Sequence, residues 1–137
     1  MSSILRISGQ SLDIDALLSL YSLPHDRVWK KGEPRVLNGK LHTDSGANFL
    51  ASDADLGEFD RQVSEATEYL EQHAPVVSKM VAFPGVQNAV LDFGVSLYEG
   101  NVAQFSFLPP KLVQLAASAG LGLEVSHYAC SNGDEES

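Results

Sequence analysis

The 137 residues contain a single cysteine, Cys130. An intrachain disulfide is thereby excluded, and so is a zinc site built on cysteine thiolates. Long apolar runs are missing too, and no stretch reaches the ~18 residues that a membrane span requires. The opening MSSILRISGQ lacks the charged start and apolar core of a signal peptide. A cytoplasmic protein with no membrane partner is the expectation. Basic residues are scarce: nine Lys and Arg face eighteen Asp and Glu, for a net charge of −9. Such a surface argues against nucleic acid as a partner, because phosphate backbones select for cations.

The usual catalytic signatures are absent as well. There is no phosphate-binding P-loop, no G-x-G-x-x-G after a strand and no G-x-S-x-G elbow. His25, His42, His73 and His127 stand at no metal-ligand spacing, although Asp44 lies two positions from His42. Asp53, Asp55 and Glu58 read as acids attracted to the positive end of a helix dipole. No cofactor and no metal is expected, and the sequence names no small-molecule ligand.

What is present is hydrophobic patterning. Leu91, Phe93, Val95 and Leu97 alternate with Asp92, Gly94 and Ser96, the period of a strand with one buried face. Ala103, Phe105 and Phe107 alternate with Gln104 and Ser106, and Glu99-Gly100-Asn101 offers a tight turn between the two runs. A central hairpin with its Phe-bearing side inward is predicted. Ile4–Ser8 reads as a first strand, and Asp13 as the N-cap of a helix running to Tyr21. Residues 27–35 and 40–51 read as extended. Asp55 is predicted to cap a helix with Leu56, Phe59, Val63, Ala66 and Leu70 on its apolar stripe and Arg61–Glu65 as an i,i+4 pair. Pro75 is predicted to start a second short helix. Pro109-Pro110 opens a last helix, Gly120 closes it, and residues 121–128 form a final strand.

The order β-α-β-β-α-α-β-β-α-β implies an α+β fold, a mainly antiparallel sheet with helices on one face. Residues 1–129 form one domain and residues 130–137 an acidic, disordered tail. The polar alternates then share the open face: Arg6, Ser8, Asp92, Ser96, Gln104, Ser106, Glu124 and Ser126.

Four stretches, ILRISGQSLDIDALLSLYSL, DRVWKKGEP, SGANFLASD and LGLEVSHY, together resemble a bacterial family called domain of unknown function 4279. The resemblance covers most of the chain. It implies a small bacterial α+β domain and carries no activity and no catalytic residue with it.

Two functions compete on these residues. Trp29 stands among Arg27, Lys30 and Lys31, while residues 44–71 hold eight acids and one base, Arg61. An aromatic beside cations can anchor a partner. A non-catalytic binding or protein-interaction domain is the first reading, with a protein partner or a second copy as ligand and an immunity-like role against a basic toxin as a special case. The alternative is a small enzyme using Asp92, Glu124 and Arg6 on the open face. Candidate surface residues are Arg6, Trp29, Lys30, Lys31, Asp92, Ser96, Gln104 and Glu124.

Overall fold

The computed structural model describes residues 3–35, 38–100 and 102–130, with the backbone alone at Cys130. The elements are β1 (Ser3–Gly9), α1 (Ile14–Leu20), β2 (Arg27–Trp29), β3 (Ser45–Ser52), α2 (Phe59–Val81), β4 (Asn88–Tyr98), α3 (Pro110–Ala119) and β5 (Gly122–Cys130). The five strands form one sheet in the order β2-β3-β1-β4-β5. β1 is antiparallel to both neighbours, β2 is antiparallel to β3, and β4 with β5 is the parallel pair. The fold is α+β and mostly antiparallel, as the alternation of strand and helix patterns implies.

Period two decides which side of the sheet is dry. Leu5 and Ile7 of β1, Ala47 and Phe49 of β3, and Leu91 and Phe93 of β4 are buried on one face. Against them lie Val63, Ala66, Leu70, Val77 and Met80 of α2, Leu17 of α1, and Leu112 and Ala116 of α3. Each fully buried Leu or Phe contributes roughly 1.5–3 kcal/mol. Asp13 caps α1 as its position before the apolar run suggests: its Oδ1 accepts from the Ala16 N–H at 3.1 Å. Gly120 ends α3 in the left-handed region at φ 83°, where a Cβ would be strained.

The central hairpin does not form. β4 pairs with β1 on one side and β5 on the other, and residues 103–107 form no strand; beside the end of β4 that β1 does not reach, Gln104 offers its side-chain amide instead of its backbone. Phe93 is buried as expected, but Phe105 is 91 % and Phe107 73 % exposed. Gln104 and Ser106 consequently leave the sheet face assigned to them. Asn101, in the proposed turn, lies outside the described residues, as do 131–137 of the proposed tail. The crossover through α3 returns the chain in the same direction as β4, which is how a helix connects parallel neighbours.

The helix pair is one helix. Pro75 sits inside α2 instead of starting a new element. Its missing N–H costs the helix one bond, yet Val77 and Met80 continue the buried stripe beyond it and hold the last turns on the sheet. The first turn also begins later than predicted, at Phe59, with Glu58 and not Asp55 at the cap position. Of the two extended segments, residues 27–35 contribute only β2 and residues 40–51 shift to β3.

β1 is shorter than β4. Past the Ser3–Phe93 pair no β1 residue among those described lies beside β4, and two side-chain amides serve the strand there. Gln62, fully buried, donates Nε2 to the Gly94 carbonyl at 2.7 Å, and Gln104 donates Nε2 to the Ser96 carbonyl at 2.7 Å.

Candidate functional site

The open face carries two clusters. In the first, the register places Ile4 beside Asp92 and Asp92 beside Glu124. Arg6, one step along the same face of β1, reaches both acids: Nη1 meets Asp92 Oδ2 at 3.3 Å and Nη2 meets Glu124 Oε1 at 3.1 Å. Ser126 donates its hydroxyl to Asp92 Oδ1 at 2.8 Å. The three residues nominated from the sequence do converge, but as one guanidinium bridging two carboxylates across β1, β4 and β5. Half-exposed bridges of this kind contribute about 0–1 kcal/mol. None of the pockets discussed below touches them.

The second cluster lies on the neighbouring strands of the same face, β2 and β3. Trp29 and Gly46 are register partners, and the indole lies flat enough over Gly46 that a Cβ there would meet Trp29 Cζ2 at 2.5 Å and the Ile7 carbonyl at 2.6 Å. Glycine is needed here for space. Trp29 Nε1 donates to Asp44 Oδ1 at 2.9 Å, and the ring stacks beside His42 with centroids 6.2 Å apart and planes at 27°. Trp29 is therefore half-buried on the open face, outside the hydrophobic core. Arg27, Trp29, Arg35, His42, Asp44 and Asn48 line a pocket of about 250 Å³.

The remaining nominated residues scatter. Lys30 leaves the pocket to pair with Asp15 of α1 at 2.7 Å, and that carboxylate holds the Lys30 ammonium above its usual range. The Lys31 N–H donates to Ser45 Oγ. Ser96 is buried, with its carbonyl taken by Gln104. Asp53 and Glu58 meet Arg61 instead of a metal, and among the described residues no three His, Cys, Asp or Glu side chains gather as ligands. Glu65 accepts from the Ser52 hydroxyl and from Arg61, which lowers its pKa, the Ser52 bond contributing most.

Asn48 was not nominated, although it has the polar position in the alternation Ala47-Asn48-Phe49. Its backbone carbonyl accepts from Asp26, but its side-chain Oδ1 is shielded from solvent and has no hydrogen-bond partner among the described residues. Leaving such an acceptor unpaired costs roughly 1–3 kcal/mol. It sits in the register row between Arg27 and Arg6.

Tyr69 is the other residue among those described with a shielded, unpaired side-chain polar atom. Burial pushes its phenol up to about 12. It sits against His73, away from both clusters. Tyr69→Phe removes the stranded hydroxyl and should leave stability unchanged or raise it by about 1 kcal/mol, read as a shift in the urea midpoint.

Comparison with protein-family models, with curated proteins and with solved structures finds no match for this chain. Among the described residues, no helix is long and apolar enough to cross a membrane.

Proposed function

We propose that the chain is a non-catalytic binding domain whose recognition surface is the Trp29 corner of the open sheet face. One observation carries the reading. Arg27, Lys31, Arg35 and Lys40 have no carboxylate within ion-pair distance among the described residues, in a chain of net charge −9. Of the other five cations, Arg6, Lys30, Arg61 and Lys111 have acidic partners, and only Lys79 on α2 has none among the described residues. Unmatched like charges around a half-buried aromatic suit an acidic protein partner, steered in by long-range attraction. A second copy offering the acidic side of α2 is one such partner. An immunity-like role would use that acidic side instead, against a basic toxin. The overall charge speaks for a protein and against nucleic acid, and the lone cysteine suits a cytoplasmic setting. Membership of the domain of unknown function 4279 family belongs to the same proposal, supported by the order and spacing of the four stretches named above.

The enzyme alternative has less support. Asp92 and Glu124 both pair with Arg6, and Asp92 also accepts from Ser126, so these side chains are engaged with one another across the sheet.

The test uses a fluorescein-labelled glutamate-rich peptide in low salt, followed by anisotropy. Binding should weaken steeply with added salt, and Lys31→Glu with Lys40→Glu should abolish it. Absent binding, or binding indifferent to salt and to these charges, ends the reading.

A further inference from the structure

The pocket beside Trp29 holds groups of opposite character, and this narrows what fits it. Arg27 and Arg35 present guanidinium groups with no acidic partner among the described residues. A guanidinium's planar fork matches a carboxylate through paired N–H donors. The same wall contains an acceptor of opposite charge, the Asp44 carboxylate, whose Oδ1 already holds the Trp29 indole N–H. A dianion such as a phosphate monoester would be repelled by Asp44 and would bring no donor to it. A ligand that carries a carboxylate and an N–H together satisfies both sets. The Trp29 and His42 rings then offer a flat face to an apolar or aromatic side chain. The volume of about 250 Å³ lies below the roughly 300–1,000 Å³ of pockets for drug-sized ligands, which suits a single residue.

We propose that this pocket binds an α-carboxylate with an N–H donor on the adjoining carbon. That chemistry is shared by a free amino acid and by the C-terminal residue of a partner chain. The inference rests on the binding reading above and names what the corner recognises.

Trp29 is the only tryptophan in the chain, so its fluorescence reports on this pocket alone. The full chain is titrated at low salt with L-phenylalanine, N-acetyl-L-phenylalanine and L-phenylalaninamide. A saturable change is expected with one or both of the first two and none with the amide, which lacks the carboxylate. Tighter binding of the N-acetyl compound identifies a chain terminus as the source, and tighter binding of the free amino acid identifies a metabolite. Arg27→Gln and Arg35→Gln should each weaken binding by about tenfold or more, in line with a hydrogen bond to a charged group, with the melting temperature as a check on folding. An equal response to L-phenylalaninamide, no response at all, or Arg variants that bind as the parent does would each overturn the proposal. If the glutamate-rich peptide still binds while no carboxylate ligand moves the Trp29 signal, this inference falls and the broader reading stands. If neither binds, both fall.

Discussion

Gly9→Ala is expected to lower the stability of the domain by about 3 kcal/mol or more, at the upper end of overpacking costs. A Cβ at Gly9 would be placed on the Gly85 carbonyl oxygen, and it would also lie 3.1 Å from the Gln87 nitrogen. Both neighbours are backbone, so no side-chain rotation relieves the clash. The segment leaving β1 is also tied to the segment entering β4: the Gln87 N–H donates to the Ser8 carbonyl at 2.9 Å, and Gln87 Oε1 accepts from the Gln10 N–H at 2.7 Å. Gly85 is locked from the other side, since its φ is +91° and a Cβ there would lie 2.8 Å from the Ser11 carbonyl. Urea unfolding followed by far-ultraviolet circular dichroism measures the loss. Gly32→Ala is the control. It also has positive φ, but a Cβ there meets nothing within 4 Å. Its cost should be limited to backbone strain, about 1 kcal/mol. Equal midpoints for the Gly9 variant and the parent would show that the two segments separate readily, contrary to the hydrogen bonds between them.

Gln62→Met should cost about 3 kcal/mol, although the two side chains are similar in length and Met suits a core. Gln62 is fully buried on α2 and makes three hydrogen bonds. Nε2 donates to the Asp55 carbonyl at 2.9 Å and the Gly94 carbonyl at 2.7 Å, and Oε1 accepts from Ser3 Oγ at 3.2 Å. The Asp55 carbonyl keeps the Glu58 N–H as a partner, but the Gly94 carbonyl and the buried Ser3 hydroxyl lose theirs. Each stranded group costs roughly 1–3 kcal/mol. Gln104→Met also removes a bond to a β4 carbonyl, but the Gln104 side chain is exposed and water can replace it, so the loss should stay under about 1 kcal/mol. The ratio of the two losses is the diagnostic. Comparable midpoints would mean that the buried amide is not what holds this end of β4.

Local signals in the sequence decided most of the architecture. Asp13 before an apolar run, Pro110 at a helix start and Gly120 at its end each act within one turn, so their effect is visible without knowing the partner element. The buried sides of β1 and β4 follow from alternation alone. The errors came where two local readings were equally good and a distant element chose between them. Residues 103–107 alternate as well as β5 does, but it is β5 that pairs along the length of β4, and 103–107 meet the strand only through the Gln104 side chain. Pro75 looks like a start signal until Val77 and Met80 are seen to continue the stripe of Val63, Ala66 and Leu70 against the same sheet.

The candidate surface was half legible. Arg6, Asp92 and Glu124 share a face by parity, and parity is what brings them together. What parity could not show is that one guanidinium pairs with both acids. Trp29 was visible as an aromatic among cations, but Arg35, His42 and Asn48 arrive from a loop and a neighbouring strand. Only the pairing of β2 with β3 collects them.

β1 is first in the chain and central in the sheet, bordered by strands that begin at residues 45 and 88. During synthesis one backbone edge of β1 must therefore wait unpaired until the residues from 88 onward have emerged. Pairings so distant in sequence slow folding because a large loop closes before any contact rewards it. A nascent chain stalled before residue 88 would present an apolar ribbon open along one side, the form of intermediate that chaperones recognise and that associates when they are lacking.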